Sequence, residues 1–119
     1  MILVDTSVWV DHLRRGDAAL VRALNDTMVL AHPFVVGELA LGNLANRPEI
    51  LALLQSLPQA SVATHPEVLH MIERKRLMGR GIRWVDAHLL ASVLLYGSAK
   101  LWSRDKRLRA IATTMGLAH

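Results

Sequence analysis

The 119 residues contain no cysteine. That single absence excludes a disulfide scaffold, a zinc ribbon, an iron–sulfur cluster and cysteine nucleophilic catalysis. Aromatic residues are scarce, with three Trp, one Tyr and one Phe, and Trp9, Trp84 and Trp102 each flank an apolar run. Those positions predict core packing rather than base stacking. No apolar run approaches the roughly 18 residues of a membrane span. The opening Met1-Ile2-Leu3-Val4-Asp5 lacks a basic segment and soon meets a carboxylate, so it does not read as a secretory signal. A cytoplasmic chain with no membrane partner is the expectation.

What is present is apolar and basic. Hydrophobic residues make up 52% and charged residues 20%, which excludes intrinsic disorder on composition. The length suits one domain spanning residues 1–119. Surface scaling gives roughly 6,400 Å² for the folded chain, burying about two thirds of the unfolded surface, so no disulfide or structural metal is needed. The net charge is +4, with Arg outnumbering Lys, and the sequence pI is 10.3. Guanidinium groups suit bidentate phosphate contacts, although a small excess of this kind also serves solubility. A mean hydropathy of +0.28 is high for a small monomer and points to apolar surface covered by another chain.

Ile2–Val4 reads as a short buried strand, ended by Asp5-Thr6-Ser7 at the start of a helix that stops near Gly16. Asp17 is a natural N-cap for a second helix, and Met28 to Ala31 reads as a second strand. Helices are predicted from Pro33 to about Leu44, from Arg47 to before Leu57-Pro58, from His65 to Arg76, and from Trp84 to Tyr96, where Gly97 ends the most apolar of them. Ala60 to Ala63 is a candidate third strand and Lys100 to Trp102 a fourth. Ser103 is expected to cap a last helix that ends at Gly116. Alternating strands and helices with short connections predict an α/β domain with a mostly parallel sheet, whose ligand crevice lies beyond the carboxyl ends of the strands.

Six of the ten acids have ordinary surface explanations. Asp17 is an N-cap, Glu49 and Glu67 lie in first helical turns, and Glu73 precedes Arg76 by three residues. Asp11 sits beside His12, Arg14 and Arg15, and Asp26 lies in a polar turn. The other four stand apart. Asp5 and Asp105 each follow a strand, Glu38 shares a helix face with Phe34, Val35, Leu41 and Gly42, and Asp86 begins the most apolar helix. Such carboxylates, brought together, repel one another and take up protons unless a cation neutralises them. Oxygen ligands without thiols select a hard ion, Mg²⁺ or Mn²⁺, which accepts substrate phosphates. An acidic metal pocket on an arginine-rich surface points to phosphodiester chemistry.

Four segments carry a resemblance: Ile2-Leu3-Val4-Asp5-Thr6-Ser7-Val8-Trp9, Val36-Gly37-Glu38-Leu39-Ala40-Leu41-Gly42, Trp84-Val85-Asp86-Ala87-His88-Leu89-Leu90-Ala91, and Leu101-Trp102-Ser103-Arg104-Asp105-Lys106-Arg107-Leu108. In order and at these spacings they resemble the acidic motifs of PIN-domain ribonucleases, and among them the VapC toxins of type II toxin–antitoxin pairs. The resemblance implies a three-layer α/β/α sandwich with a short, mostly parallel central sheet, and a Mg²⁺- or Mn²⁺-dependent endoribonuclease. It implies that Asp5, Asp86 and Asp105 are metal ligands. It gives Glu38 the role of binding the metal or orienting the attacking water. Thr6 and Ser103 are implied to hold neighbouring carboxylates by hydrogen bonds, Ser103 standing where the family usually has threonine. The family's occasional further acid has no counterpart after Asp105, so a second ion lacks a ligand there. Implied partners are an RNA substrate, a cognate antitoxin and a second copy of the chain, with Leu20, Val21, Leu24, Leu51 and Leu54 expected to line the antitoxin groove.

Arg80, Arg83, Arg104, Lys106, Arg107 and Arg109 are the expected RNA phosphate contacts, against the alternative of a solvated basic face. His12, His32, His65, His70, His88 and His119 have no metal-ligand spacing and are read as structural or surface residues. Two other functions share part of this pattern. An aspartyl phosphoryl-transfer domain also places an Asp after its first strand, but the phosphatase pattern wants a second Asp where Ser7 stands, and a receiver wants adjacent acids. A non-catalytic RNA-binding PIN fold would have lost acids that this chain retains.

Overall fold

The computed structural model describes residues 1–119. Its sheet is built from β1 (Ile2–Val4), β2 (Val29–Leu30) and β3 (Lys100–Trp102), ordered β2-β1-β3 and parallel throughout. Leu3 stands opposite Leu30 on one side and Leu101 on the other. A middle strand covered on both faces must be apolar at every position, and Leu3 and Val4 are fully buried.

Seven helices surround this sheet: α1 (Thr6–Arg15), α2 (Ala18–Asn25), α3 (Pro33–Ala40), α4 (Arg47–Ser56), α5 (His65–Lys75), α6 (Trp84–Tyr96) and α7 (Lys106–Thr114). Helices α6 and α7 pack against β3, α5 against α6, and α3 bridges α1 and α4. The result is a compact α/β sandwich. α6 passes through its centre, with Ala87 to Val93 all buried. A helix apolar on every side belongs in the interior.

Three boundaries differ from the sequence reading. The expected strand over Ala60–Ala63 does not form. Ala31 makes a single parallel bridge to Gln59, because Pro33 ends β2 and opens α3 at once. Helix α3 stops at Ala40 rather than Leu44, since the Arg47 guanidinium takes the carbonyls of Ala40 and Gly42 at 2.5 and 3.0 Å. Asp105, not Ser103, caps α7, accepting from the Leu108 amide at 2.9 Å.

Candidate active site

Asp5 leaves the carboxyl end of β1 and occupies the N-cap of α1, only 6% exposed. Its side chain makes no capping bond. Oδ2 instead accepts from the hydroxyls of Ser7 and Ser103, each at 2.7 Å. Each hydroxyl has one proton and spends it on Asp5, so the 3.5 Å approach of the two serine oxygens is a contact and not a bond. As acceptors, Ser103 Oγ takes the Asp105 amide at 3.1 Å and Ser7 Oγ takes the Arg104 amide at 3.0 Å. Two hydroxyls thereby tie the end of β1 to the turn after β3. Ser7 was missed in the sequence reading. Its signal was the Asp-x-Ser spacing, which puts the hydroxyl within reach of the preceding carboxylate.

The other acids are held in the same one-handed way. Asp86 lies in the first turn of α6, and its Oδ2 accepts the Arg83 amide at 3.0 Å, the reach-back half of a capping box. Asp105 uses Oδ1 on Leu108. Glu38, on α3, uses Oε1 to accept the Thr6 hydroxyl at 2.7 Å. Of the face it shares, Val35 is buried and Phe34 half-buried, whereas Glu38 is exposed and Leu41 is 91% exposed, so the apolar face is covered only at its N-terminal end. The acid is anchored by Thr6 rather than by apolar packing.

The four acids form one electrostatic group. The Asp86 carboxyl is pushed above its usual range, first by burial and then by the charges of Asp5, Asp105 and Glu38, with the Arg83 amide opposing. No three His, Asp or Glu side chains form a ready-made cage for an ion. The donor set nonetheless fits a hard divalent cation. Each carboxylate has one oxygen fixed within the protein and a second without a protein partner. None of these second oxygens is buried and unsatisfied, a condition confined to Trp9 and His88.

The surrounding cations and apolar residues divide unequally. Arg80, Arg83, Lys106, Arg107 and Arg109 are exposed. Arg104 is not free for RNA, because its guanidinium pairs with Asp11 and Asp17. Leu20 and Leu54, expected in a groove, are fully buried in the core. The cleft that opens on the site, about 430 Å³, is lined by Thr6, Val10, Leu13, Arg14, Glu38, Leu39, the segment Gly42 to Asn46, and Ile50. Trp9 lies in the core as expected and Trp102 is half-buried, but Trp84 is 40% exposed.

Comparison with known proteins gives a consistent picture. A family model described as PIN domain matches residues 2–113. Ribonuclease VapC32 of Mycobacterium tuberculosis, from strain CDC 1551 / Oshkosh and from strain ATCC 25618 / H37Rv, is 54% identical over 118 residues, covering 99% of this chain and 95% of each relative.

Proposed function

Because this chain belongs to the PIN-domain family, we propose that it is an endoribonuclease acting as the toxin of a toxin–antitoxin pair. The observation that carries the reading is the gathering of Asp5, Glu38 and Asp105 around Asp86, whose carboxyl is pushed above its usual range by burial first and then by their charges.

Asp5, Asp86 and Asp105 would hold Mg²⁺ or Mn²⁺, with Glu38 as a further ligand or as the group that orients water. Such an ion, when bound, acidifies water and neutralises charge developing on the reacting phosphate. The protein's part is positional. Ser7 and Ser103 fix Asp5, the Arg83 amide fixes Asp86, and Thr6 aims Glu38. Water in line with the departing 3′ oxygen then attacks phosphorus, leaving 5′-phosphate and 3′-hydroxyl ends. No histidine is needed as a base. Arg80, Arg83, Lys106 and Arg107 would meet RNA phosphates on either side.

An antitoxin segment would occupy the cleft beside Thr6 and Glu38, whose apolar wall is Val10, Leu13, Leu39, Leu44 and Ile50. A homodimer would cover the exposed Leu69, Leu94 and Leu95 on α5 and α6. No helix is long and apolar enough to cross a membrane; cleavage of cellular RNA would be work done in the cytoplasm.

The test is cleavage of RNA with Mg²⁺ or Mn²⁺ and with EDTA. Asp5→Asn and Asp86→Asn are expected to abolish metal-dependent cleavage. Undiminished activity in EDTA or in both variants would overturn the reading.

A further inference from the structure

Trp84 opens α6 two residues before Asp86, yet 40% of its surface faces solvent. An indole exposed to this extent leaves part of its ring open to a partner. The ring is also held in place. His65 lies 5.0 Å away, centroid to centroid, at a 46° tilt, and His88 lies 5.0 Å away, edge-on at 83°. His88 is buried and packs 4.7 Å from Phe34, so the core fixes the orientation of the indole.

Beside the ring lies a cavity of about 300 Å³, shared by Trp84, Arg80, Arg83 and the glycine loop between them. That is the lower end of the range for ligand pockets, roughly 300–1,000 Å³. Arg107 reaches the same loop from α7. A Cβ built on Gly81 would stand 2.7 Å from its Nη1, so the guanidinium lies against a residue that has no side chain to exclude it. Arg80, Arg83 and Arg107 have no carboxylate partner; the ion-paired arginines are Arg15 and Arg104. A fixed aromatic ring among unneutralised guanidiniums complements a nucleobase flanked by phosphates, because every base has a face to stack and every linkage a charge. On helix α6 the ring stands two residues before Asp86, so the two side chains leave the helix on different faces and the ring lies outside the carboxylate pocket.

We propose that Trp84 is the stacking platform for an unpaired base of the RNA outside the carboxylate pocket, with Arg80, Arg83 and Arg107 holding the adjoining phosphates. The inference rests on the ribonuclease reading for its substrate class, and its test separates the two.

Single-stranded RNA oligomers of randomised sequence are titrated in EDTA while tryptophan emission is followed. Wild-type protein is expected to bind with quenching. Trp84→Phe, which keeps a ring, is expected to bind nearly as well but to lose the quenching, since Trp9 is buried and Trp102 half-buried. Trp84→Ala is expected to bind about tenfold more weakly and, with Mn²⁺ present, to raise KM by a similar factor with little change in kcat. Quenching retained in Trp84→Phe, or unchanged affinity in Trp84→Ala, would overturn the proposal. So would a change of sedimentation in Trp84→Ala with RNA affinity intact, which would make Trp84 a subunit contact. Stacking without metal-dependent cleavage would overturn the ribonuclease reading alone, and cleavage without stacking would overturn the Trp84 proposal alone.

Discussion

An Asp at a helix N-cap ordinarily turns its carboxylate onto the first amides of the helix, and Asp5 does not, because Ser7 and Ser103 hold it. Ser103→Ala removes one of these donors together with the acceptor for the Asp105 amide. RNA cleavage is expected to fall about 10- to 100-fold, as is usual when a group supporting a metal ligand is lost, and Ser103→Thr is expected to restore most of it. An alanine variant as fast as wild type would remove Ser103 from the site. A different residue governs response to acid. His32 is fully buried, its Nδ1 accepting the Phe34 amide and its Nε2–H donating to Ser92, whose own proton goes to the Ser61 carbonyl. Both ring nitrogens are thus satisfied in the neutral form, and burial, helped by His88, lowers the pKa to about 4. An unfolded histidine titrates near 6.5, so below that pH the unfolded chain gains a proton that the native chain refuses. The contribution is complete above pH 6.5 and is lost as the pH falls toward 4. Urea unfolding at pH 7.5 and pH 5 is expected to register about 2 kcal/mol from this group; an NMR titration of the His32 ring near 6.5 would contradict it. The sequence marked the four acids because each lacked a surface explanation. It could not mark the exposure of Trp84, since flanking apolar residues are equally compatible with a ring that lies at the mouth of a cleft.

Among the elements, the turns before α6 and α7 set the geometry. Gly81 has φ of +82° and the Arg107 side chain lies against it. Gly81→Ala is expected to cost roughly 1–2 kcal/mol from the left-handed backbone alone and to displace Arg107, read as a lower urea midpoint with weaker RNA binding. A glycine variant that left both unchanged would separate the loop from α7. Thr64 closes a reciprocal capping box with Glu67 at the start of α5, and Thr64→Ala is expected to lower stability by about 1 kcal/mol. Most elements were legible because their signals are local: Pro33, Pro48 and Pro66 in first turns, Gly97 at an end, and short apolar runs for β1 and β3. What was not legible came from groups distant in sequence. Arg104 meets Asp17 and Asp11 across 87 and 93 positions, so a cation that looked available for phosphate is occupied. With no strand at Ala60–Ala63, the Ser61 carbonyl finds its partner far along the chain, in the Ser92 hydroxyl on α6.

As a whole molecule the chain exposes 6,921 Å², somewhat more than the roughly 6,400 Å² typical of a monomer of this mass. It is also elongated, with extents of 40 × 25 × 23 Å. Both fit a subunit with a face still to be covered, and Leu94 and Leu95 at the end of α6 are 38% and 52% exposed. Sedimentation is expected to show a dimer, and Leu95→Asp is expected to shift it toward monomer without unfolding it; a monomeric wild type would refute that face. The order of the acids along the chain has a further consequence. Asp5 and Glu38 belong to the first third, while Asp86, Ser103 and Asp105 belong to the last, and the strand that brings the halves together is β3. Neither half of the chain holds more than two of the four acids, so pairing of β3 with β1 and assembly of the site are a single event.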